Sequence, residues 1–260
     1  MKSAIIIPAR YQSSRLPGKP LLRESGKFLI QHTVENALRC KADHVVVATD
    51  DRRIFEAVEG FGGKAVMTSP DHETGSGRIA EAAEQIEAEI IVNVQGDEPE
   101  IAPHILDDLI DLHEKAIKAS RPAFVSTLVS PFPEMAKEGP GSPLDPSCVK
   151  AVLAAPDGDG LRSALYFTRS LAPYPRDEEG RVQRPQDYFL HIGLYAFSRA
   201  SLAAFAAAPS GCLEQIEKLE QLRILEMGER IVAGVIDGAM PGIDTPQDYQ
   251  AFLKRLGDRG

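Results

Sequence analysis

The sequence predicts an α/β fold: a mostly parallel sheet covered by helices on both faces, with an inserted antiparallel arm. Three observations carry the prediction. Short runs rich in Val and Ile alternate with helical patterns through the first half of the chain, as in successive βαβ units. The rhythm then breaks at a Pro- and Gly-rich stretch, 131–146, and turns to strands with long connections. No internal repeat or low-complexity tract divides the 260 residues, which favours one domain, 1–260, with an arm at about 131–198.

The elements follow in order. Strands are expected at Ala4–Ile7, His44–Ala48, Lys64–Thr68 and Glu89–Val94, each a short Val/Ile-rich run. Helical patterns follow them, near Leu29–Arg39, Asp51–Val58, Arg78–Ile86 and His104–Ser120. A further strand is expected at Ala123–Val129. Beyond it, Val149–Ala154, Ser163–Thr168 and His191–Phe197 read as antiparallel strands, with a charged loop at Asp177–Gln186. Helices at Arg199–Ala207 and Cys212–Met227, a strand at Ile231–Ile236 and a last helix from Thr245 complete the chain. In doubly wound sheets ligands sit beyond the carboxyl ends of the strands, so loops there are the place to look for chemistry.

Composition narrows the field. With 43% apolar and 26% charged residues the chain has the make-up of an ordinary globular protein. A net charge of −9 argues against a nucleic-acid partner. No run is long and apolar enough for a signal peptide or a membrane helix, so a cytoplasmic protein without a membrane partner is expected. Cys40, Cys148 and Cys212 are widely spaced and read as reduced thiols. Charge is nevertheless segregated. Residues 1–41 carry eight basic side chains against two acidic ones, a net +6 where the rest of the chain is −15. A local cationic patch in an acidic protein points to a phosphate site.

That patch centres on the loop after the first strand, 8–20. It lacks both G-x-G-x-x-G and the Walker pattern. Arg10 and Arg15 offer planar forks to phosphate oxygens, Lys19 a compact ammonium, and Ser13 and Ser14 further donors, so a triphosphate is the natural guest. The bland reading is a solvated loop paired with surface carboxylates. At the end of the fourth strand, Asp97 and Glu98 follow Gln95-Gly96. Asp97 is the better candidate to hold a hard cation such as Mg²⁺, the alternative being that the two acids cap the next helix. Asp244 stands just outside a helix opened by Thr245 as N-cap and Pro246 at N1, and could meet the same ion or simply mark a helix entry. The segment Thr68–Arg78 either lines a base pocket or forms a plain turn. On one continuous helix, Glu220 would project between Ile216 and Ile224, a carboxylate on an apolar stripe that either meets a polar ligand or snorkels. His191, opening a strand, is core-satisfied or functional.

Six segments, in order over nearly the whole chain, carry a resemblance: Ile7–Leu21, Val94–Pro99, Tyr166–Arg169, His191–Tyr195, Leu219–Leu222 and Ile243–Pro246. Together they resemble the 3-deoxy-manno-octulosonate cytidylyltransferase (CMP-Kdo synthetase) family. The resemblance implies a Rossmann-like nucleotidyltransferase fold, a homodimer, and activation of Kdo, a 3-deoxy-octulosonate sugar acid, with CTP for lipopolysaccharide synthesis. The anomeric hydroxyl attacks the α-phosphorus and pyrophosphate leaves. It also implies roles: Arg10, Lys19 and Asp97 as catalytic; Pro8, Ala9, Arg10, Ser14, Lys19, Thr74, Gly75, Ser76, Arg78 and Gln95 around the nucleotide. Gln95, Arg169, His191, Tyr195, Glu220 and Gln221 would surround the sugar acid, with Arg169 on its carboxylate. Asp97 and Asp244 would hold Mg²⁺ as the cofactor.

The chain departs from the family pattern at Gly77, where an acidic residue is usual, at Ser147, and in the insertion 131–146. The sugar acid could be a close analogue such as the 8-amino form or a sialic acid. Competing classes are a metal-dependent glycosyltransferase, disfavoured because Gln95 stands where the first acid of a D-x-D motif belongs, and a nucleotide-sensing module, which would not need a full metal set.

Overall fold

The computed structural model describes residues 1–12, 16–72, 74–238 and 242–258. The chain forms two compact units, Met1–Ile110 with Met240–Gly260, and Asp111–Ala239.

The first unit realises the predicted alternation. Ser3–Ala9 (β1), His44–Thr49 (β2), Ala65–Met67 (β3) and Ile90–Asn93 (β4) are connected through Leu29–Ala37 (α1), Arg52–Gly60 (α2) and Gly75–Glu84 (α3). The strands run in the order β3-β2-β1-β4 and pair in parallel, with Ala4 opposite His44, Ser3 opposite Ile90 and Val47 opposite Ala65. Ile5, Ile6, Ile7, Ile90, Ile91 and Val92 are fully buried, as continuous apolar runs in a parallel sheet should be. The chain moves outward from β1 to β3 and then returns to the other side of β1. The order therefore reverses between β1 and β4, and the loops leaving their carboxyl ends open side by side, which is where an open α/β sheet forms its ligand crevice.

Two helices show how local sequence places the site. Thr74 caps α3 by accepting from the Gly77 amide. Pro246–Gly257 (α8) opens as anticipated: Thr245 is the N-cap, Pro246 follows, and Asp248 closes a capping box. Asp244 is left just outside the helix.

The second unit bears out the antiparallel strands expected after residue 129 and makes the set of strands mixed rather than mostly parallel. Its strands are Val125–Pro131 (β5), Lys150–Leu153 (β6), Arg162–Thr168 (β7), Phe189–Ser198 (β8) and Ile231–Val235 (β9). Only β5 with β9 is parallel; β5 with β8, β8 with β6, β6 with β7 and β7 with β9 are antiparallel, and these pairings close a circuit. Beyond β5 the successive strands from β6 to β8 are linked by loops without a crossover helix, so neighbours return antiparallel. Pro103–Ile117 (α4) straddles the boundary in sequence, and Arg199–Ala207 (α5) follows β8.

The predicted helix over Cys212–Met227 is two helices, Cys212–Glu217 (α6) and Gln221–Glu226 (α7). Lys218 between them is left-handed, φ 55° and ψ 48°. The reading of Glu220 on a continuous helical face is therefore wrong. Glu220 occupies the N-cap position of α7, while Ile216 is 73% exposed and Ile224 is buried, so the two never share a face. Neither Gly nor Pro marks the break; it is imposed by packing that buries Leu219 and pairs Glu214 of α6 with Arg223 of α7 at 2.5 Å.

His113 on α4 is fully buried, touches Ser126 Oγ at 3.0 Å through Nδ1, and has no partner for Nε2 among the described residues. Burial pushes it down from 6.5 to about 4. A base whose folded-state value is depressed stabilises the fold above its unfolded value and withdraws that stability as pH falls from 6.5 through 4. From these values, acidification across that window costs about 3 kcal/mol at this residue. Urea unfolding of His113→Leu, compared with the wild type at pH 7 and pH 4, should show a correspondingly shallower loss; an unchanged pH slope refutes the assignment.

Candidate active site

A cavity of about 810 Å³ lies in the first unit, at the reversal point between β1 and β4. Pro8, Ala9 and Arg10 reach it from the end of β1, Lys19 from the following turn, Thr74, Gly75 and Arg78 from the start of α3, Gln95 and Asp97 from the end of β4, and Asp244 from the entry to α8. These are predicted site residues from four separate stretches of chain. Ser76 is buried beside them, its hydroxyl 3.0 Å from that of Thr74. Ser14 and Arg15 lie outside the described residues.

Two close backbone approaches shape the floor. Gly18 has φ +67°, donates to the Tyr11 carbonyl at 3.2 Å, and turns the loop so that Lys19 faces the cavity. At Gly96 a Cβ would come within 3.0 Å of Ile30 Cδ1 and 3.2 Å of the Pro8 carbonyl, so a larger residue would have to push these neighbours back where the β4 exit passes β1.

Lys19 is the centre of the arrangement. Its Nζ donates to Asp97 Oδ2 at 2.6 Å, to the Ile243 carbonyl at 2.8 Å and to Asp244 Oδ1 at 3.4 Å. The Ile243 amide in turn donates to the Asp97 carbonyl at 2.9 Å, locking the two aspartate-bearing segments together. The two aspartates thus meet at the Lys19 ammonium; among the described residues no cluster of three or more metal-ligating side chains is found. Asp97 and Glu98 do not cap the next helix, since α4 begins only at Pro103, while Asp244 does stand at the entry to α8.

Glu98 is the residue sequence reasoning undervalued. Burial pushes its carboxyl up to about 8, Asp97 and Asp244 push in the same direction, and Lys19 opposes them. Raised that far, Glu98 is mostly protonated at neutral pH, so the negative charge beside Lys19 belongs to Asp97 and Asp244 and Glu98 enters as a neutral carboxyl. Only the adjacency of Glu98 to Asp97 hinted at this.

Arg10 is exposed at the mouth of the cavity. Arg78, by contrast, is buried and held: Nη2 donates to Asp50 Oδ2 at 2.8 Å and Nη1 to Thr68 Oγ1 at 2.5 Å. Its fork is therefore a fixed wall of the pocket rather than a mobile clamp, and Asp50, which sequence reasoning passed over, sets it. Gln95 is steadied by a 3.1 Å bond from Nε2 to Asn93 Oδ1.

The remaining predicted residues gather within the second unit. His191, third in β8, bonds Thr127 Oγ1 through Nε2 at 3.1 Å, and its ring lies 4.8 Å from that of Phe167 and 5.5 Å from that of Tyr195. Burial pushes His191 down to about 3, which keeps it neutral; burial and the charge of Glu220 push the Tyr195 phenol up. Gln221 is buried at the start of α7. Arg169 follows β7, its Nε donating to the Glu217 carbonyl at 2.9 Å and its Nη1 to the Pro146 carbonyl at 3.1 Å.

A family profile described as cytidylyltransferase matches residues 4–231. The chain belongs to the cytidylyltransferase family. Within it, the chain is 44% identical to the 3-deoxy-manno-octulosonate cytidylyltransferase of Rhodopirellula baltica, over 98% of this chain and 99% of that one. It is 41% identical to the 8-amino-3,8-dideoxy-manno-octulosonate cytidylyltransferase of Shewanella baltica, over 98% and 99%. Among solved structures, it matches a CMP:2-keto-3-deoxy-manno-octonic acid synthetase complexed with CTP at 39% identity and a TM-score of 0.88, with both chains covered completely. These similarities place the cytidylyltransferase in the CMP-Kdo synthetase family and give it an α/β nucleotidyltransferase fold with a mixed set of strands. It is a nucleotidyltransferase enzyme. No helix among the described residues is long and apolar enough to cross a membrane.

Proposed function

We infer that the protein transfers the cytidylyl group of CTP to Kdo, giving CMP-Kdo and pyrophosphate. The observation that carries this reading is the Lys19 ammonium bridging Asp97 and Asp244 in the reversal-point cavity of a chain so similar to a CTP-bound synthetase. Transfer to phosphorus needs positioning and charge neutralisation more than a covalent protein group. Arg10 and Lys19 neutralise the triphosphate, and the amides and hydroxyls at the start of α3 line the nucleoside end with Arg78. The sugar hydroxyl attacks the α-phosphorus and pyrophosphate departs.

Asp97 and Asp244 hold Mg²⁺. Their support is the donor chemistry: two carboxylates, 78 and 225 residues from Lys19 in the chain, meeting at its ammonium. When bound, the ion supplies charge neutralisation at the phosphates and makes a coordinated hydroxyl more acidic. In the second unit Arg169, His191, Tyr195, Glu220 and Gln221 serve the sugar acid, Arg169 facing its carboxylate as a planar fork suits, and Gln95 acts from the first unit's cavity. The β3-β2-β1-β4 order supports a Rossmann-like arrangement. A homodimer fits the exposed apolar side chains of Leu165, Tyr174 and Ile216. Three unpaired cysteines fit a reducing cytoplasm.

Pyrophosphate release from purified protein tests the reading, with CTP, UTP or ATP, Mg²⁺ or a chelator, and Kdo, its 8-amino analogue or no acceptor. Release is expected with CTP and Kdo in the presence of Mg²⁺. Release that ignores the acceptor, or that a chelator leaves untouched, overturns the corresponding assignment.

A further inference from the structure

Lys150, the first residue of β6, is fully buried although no carboxylate is among its hydrogen-bond acceptors. Its Nζ donates to three backbone carbonyls: Asp145 at 2.9 Å, Cys148 at 2.6 Å and Arg169 at 2.5 Å. Three donors meet three acceptors, so the ammonium is saturated geometrically, yet none of those acceptors cancels its charge. The carboxylate of Asp145 is committed elsewhere, to the amides of Gly141 and Ser147 and the Ser147 hydroxyl. Burying an ammonium this way is expensive, and a pure packing role would be served as well by an apolar side chain.

The three carbonyls belong to two segments, the turn at 145–148 and the residue after β7. The same turn supplies the Pro146 carbonyl that accepts from Arg169 Nη1 at 3.1 Å. From the opposite side, the Glu217 carboxylate takes the Arg169 amide at 3.0 Å and the Thr168 hydroxyl at 2.6 Å, while its carbonyl takes Arg169 Nε at 2.9 Å. Lys150 therefore grips the main chain of Arg169 and also the turn that aims its guanidinium.

We propose that Lys150 is a positioning residue for the sugar acid: it fixes both the backbone of Arg169 and the Pro146 acceptor of its side chain, so that the free edge of the fork is set for the substrate carboxylate. This rests on the reading in which Arg169 meets that carboxylate. Glu217 and Asp145 flank the two cations, so the acid is drawn by a defined fork rather than by bulk positive charge.

The test compares Lys150→Met, Lys150→Gln and Arg169→Lys, singly and combined, in the full-length enzyme. In Lys150→Met the KM for Kdo should rise at least ~30-fold while the KM for CTP and the calorimetric Kd for CTP stay within about twofold, a binding loss confined to one substrate. Lys150→Gln, which keeps two donors, should recover part of the loss. In an Arg169→Lys background, Lys150→Met should add little, because its effect passes through the arginine. Equal shifts in both KM values, additive losses in the double variant, or unfolding of both Lys150 variants overturn the proposal in favour of a structural lysine. If Arg169→Lys itself leaves the KM for Kdo unchanged, it is the reading of Arg169 that fails.

Discussion

Lys19→Met should lower kcat/KM by at least ~10³-fold, which corresponds to about 4 kcal/mol of transition-state stabilisation. Three contacts meet at its Nζ, to Asp97, Asp244 and the Ile243 carbonyl. Without the ammonium, the Asp97 and Asp244 carboxylates face an anionic triphosphate with the Lys19 charge removed from between them. Lys19→Arg should not rescue. A planar guanidinium cannot reproduce one compact point charge shared by three acceptors within 3.4 Å. The lysine side chain is 16% exposed and lies at the wall of a cavity, so circular dichroism and the melting profile should remain close to the wild type. A Lys19→Met enzyme retaining more than about a tenth of wild-type turnover contradicts the role assigned to this residue.

Arg223→Ala should be strongly destabilising, with a loss of about 3–5 kcal/mol by urea unfolding and a fall in melting temperature on the order of 10 °C. Arg223 donates from Nε and Nη2 to the two oxygens of Glu214, at 2.7 and 2.5 Å, and both side chains are nearly buried. Its Nη1 also reaches the Phe205 and Ala208 carbonyls at 3.3 and 3.2 Å. Alanine would strand a buried carboxylate and two carbonyls at once. The pair also holds α6 against α7 across the left-handed Lys218, and Glu220 and Gln221 stand on the α7 side of that break. A rise in the KM for the sugar acid should therefore accompany the stability loss. Replacing both members, as Glu214→Leu with Arg223→Met, should recover much of the stability because no charge is left unpaired. A single-variant loss below about 1 kcal/mol would show that the pair is solvent-compensated.

Much of the site was legible without coordinates because its parts announce themselves locally. Arg10 and Lys19 stand in a cationic loop directly after an apolar strand, and Thr245-Pro246 spells a helix start that leaves Asp244 outside. Glu98 was legible only in part: Asp97 stands beside it in the chain, but the burial that chiefly raises its affinity for a proton, and the charge of Asp244, come from the fold. Lys150 was silent: nothing near it in the chain tells that a carbonyl 19 residues on will accept its proton.

The sequence by itself determined the alternation of strands and helices in the first unit, the loops at strand ends and the chemical kinds of side chain those loops carry. Propensity, capping and the burial period act over a few residues and are written in consecutive letters. Only the tertiary structure decided that Lys19 meets Asp97 and Asp244, 78 and 225 residues away, that β5 to β9 close on themselves, and that Cys212–Met227 breaks at Lys218. Those outcomes depend on which distant surfaces are brought together, and the energy of a buried ion pair or a covered apolar face outweighs the local preference for an unbroken helix or a parallel neighbour.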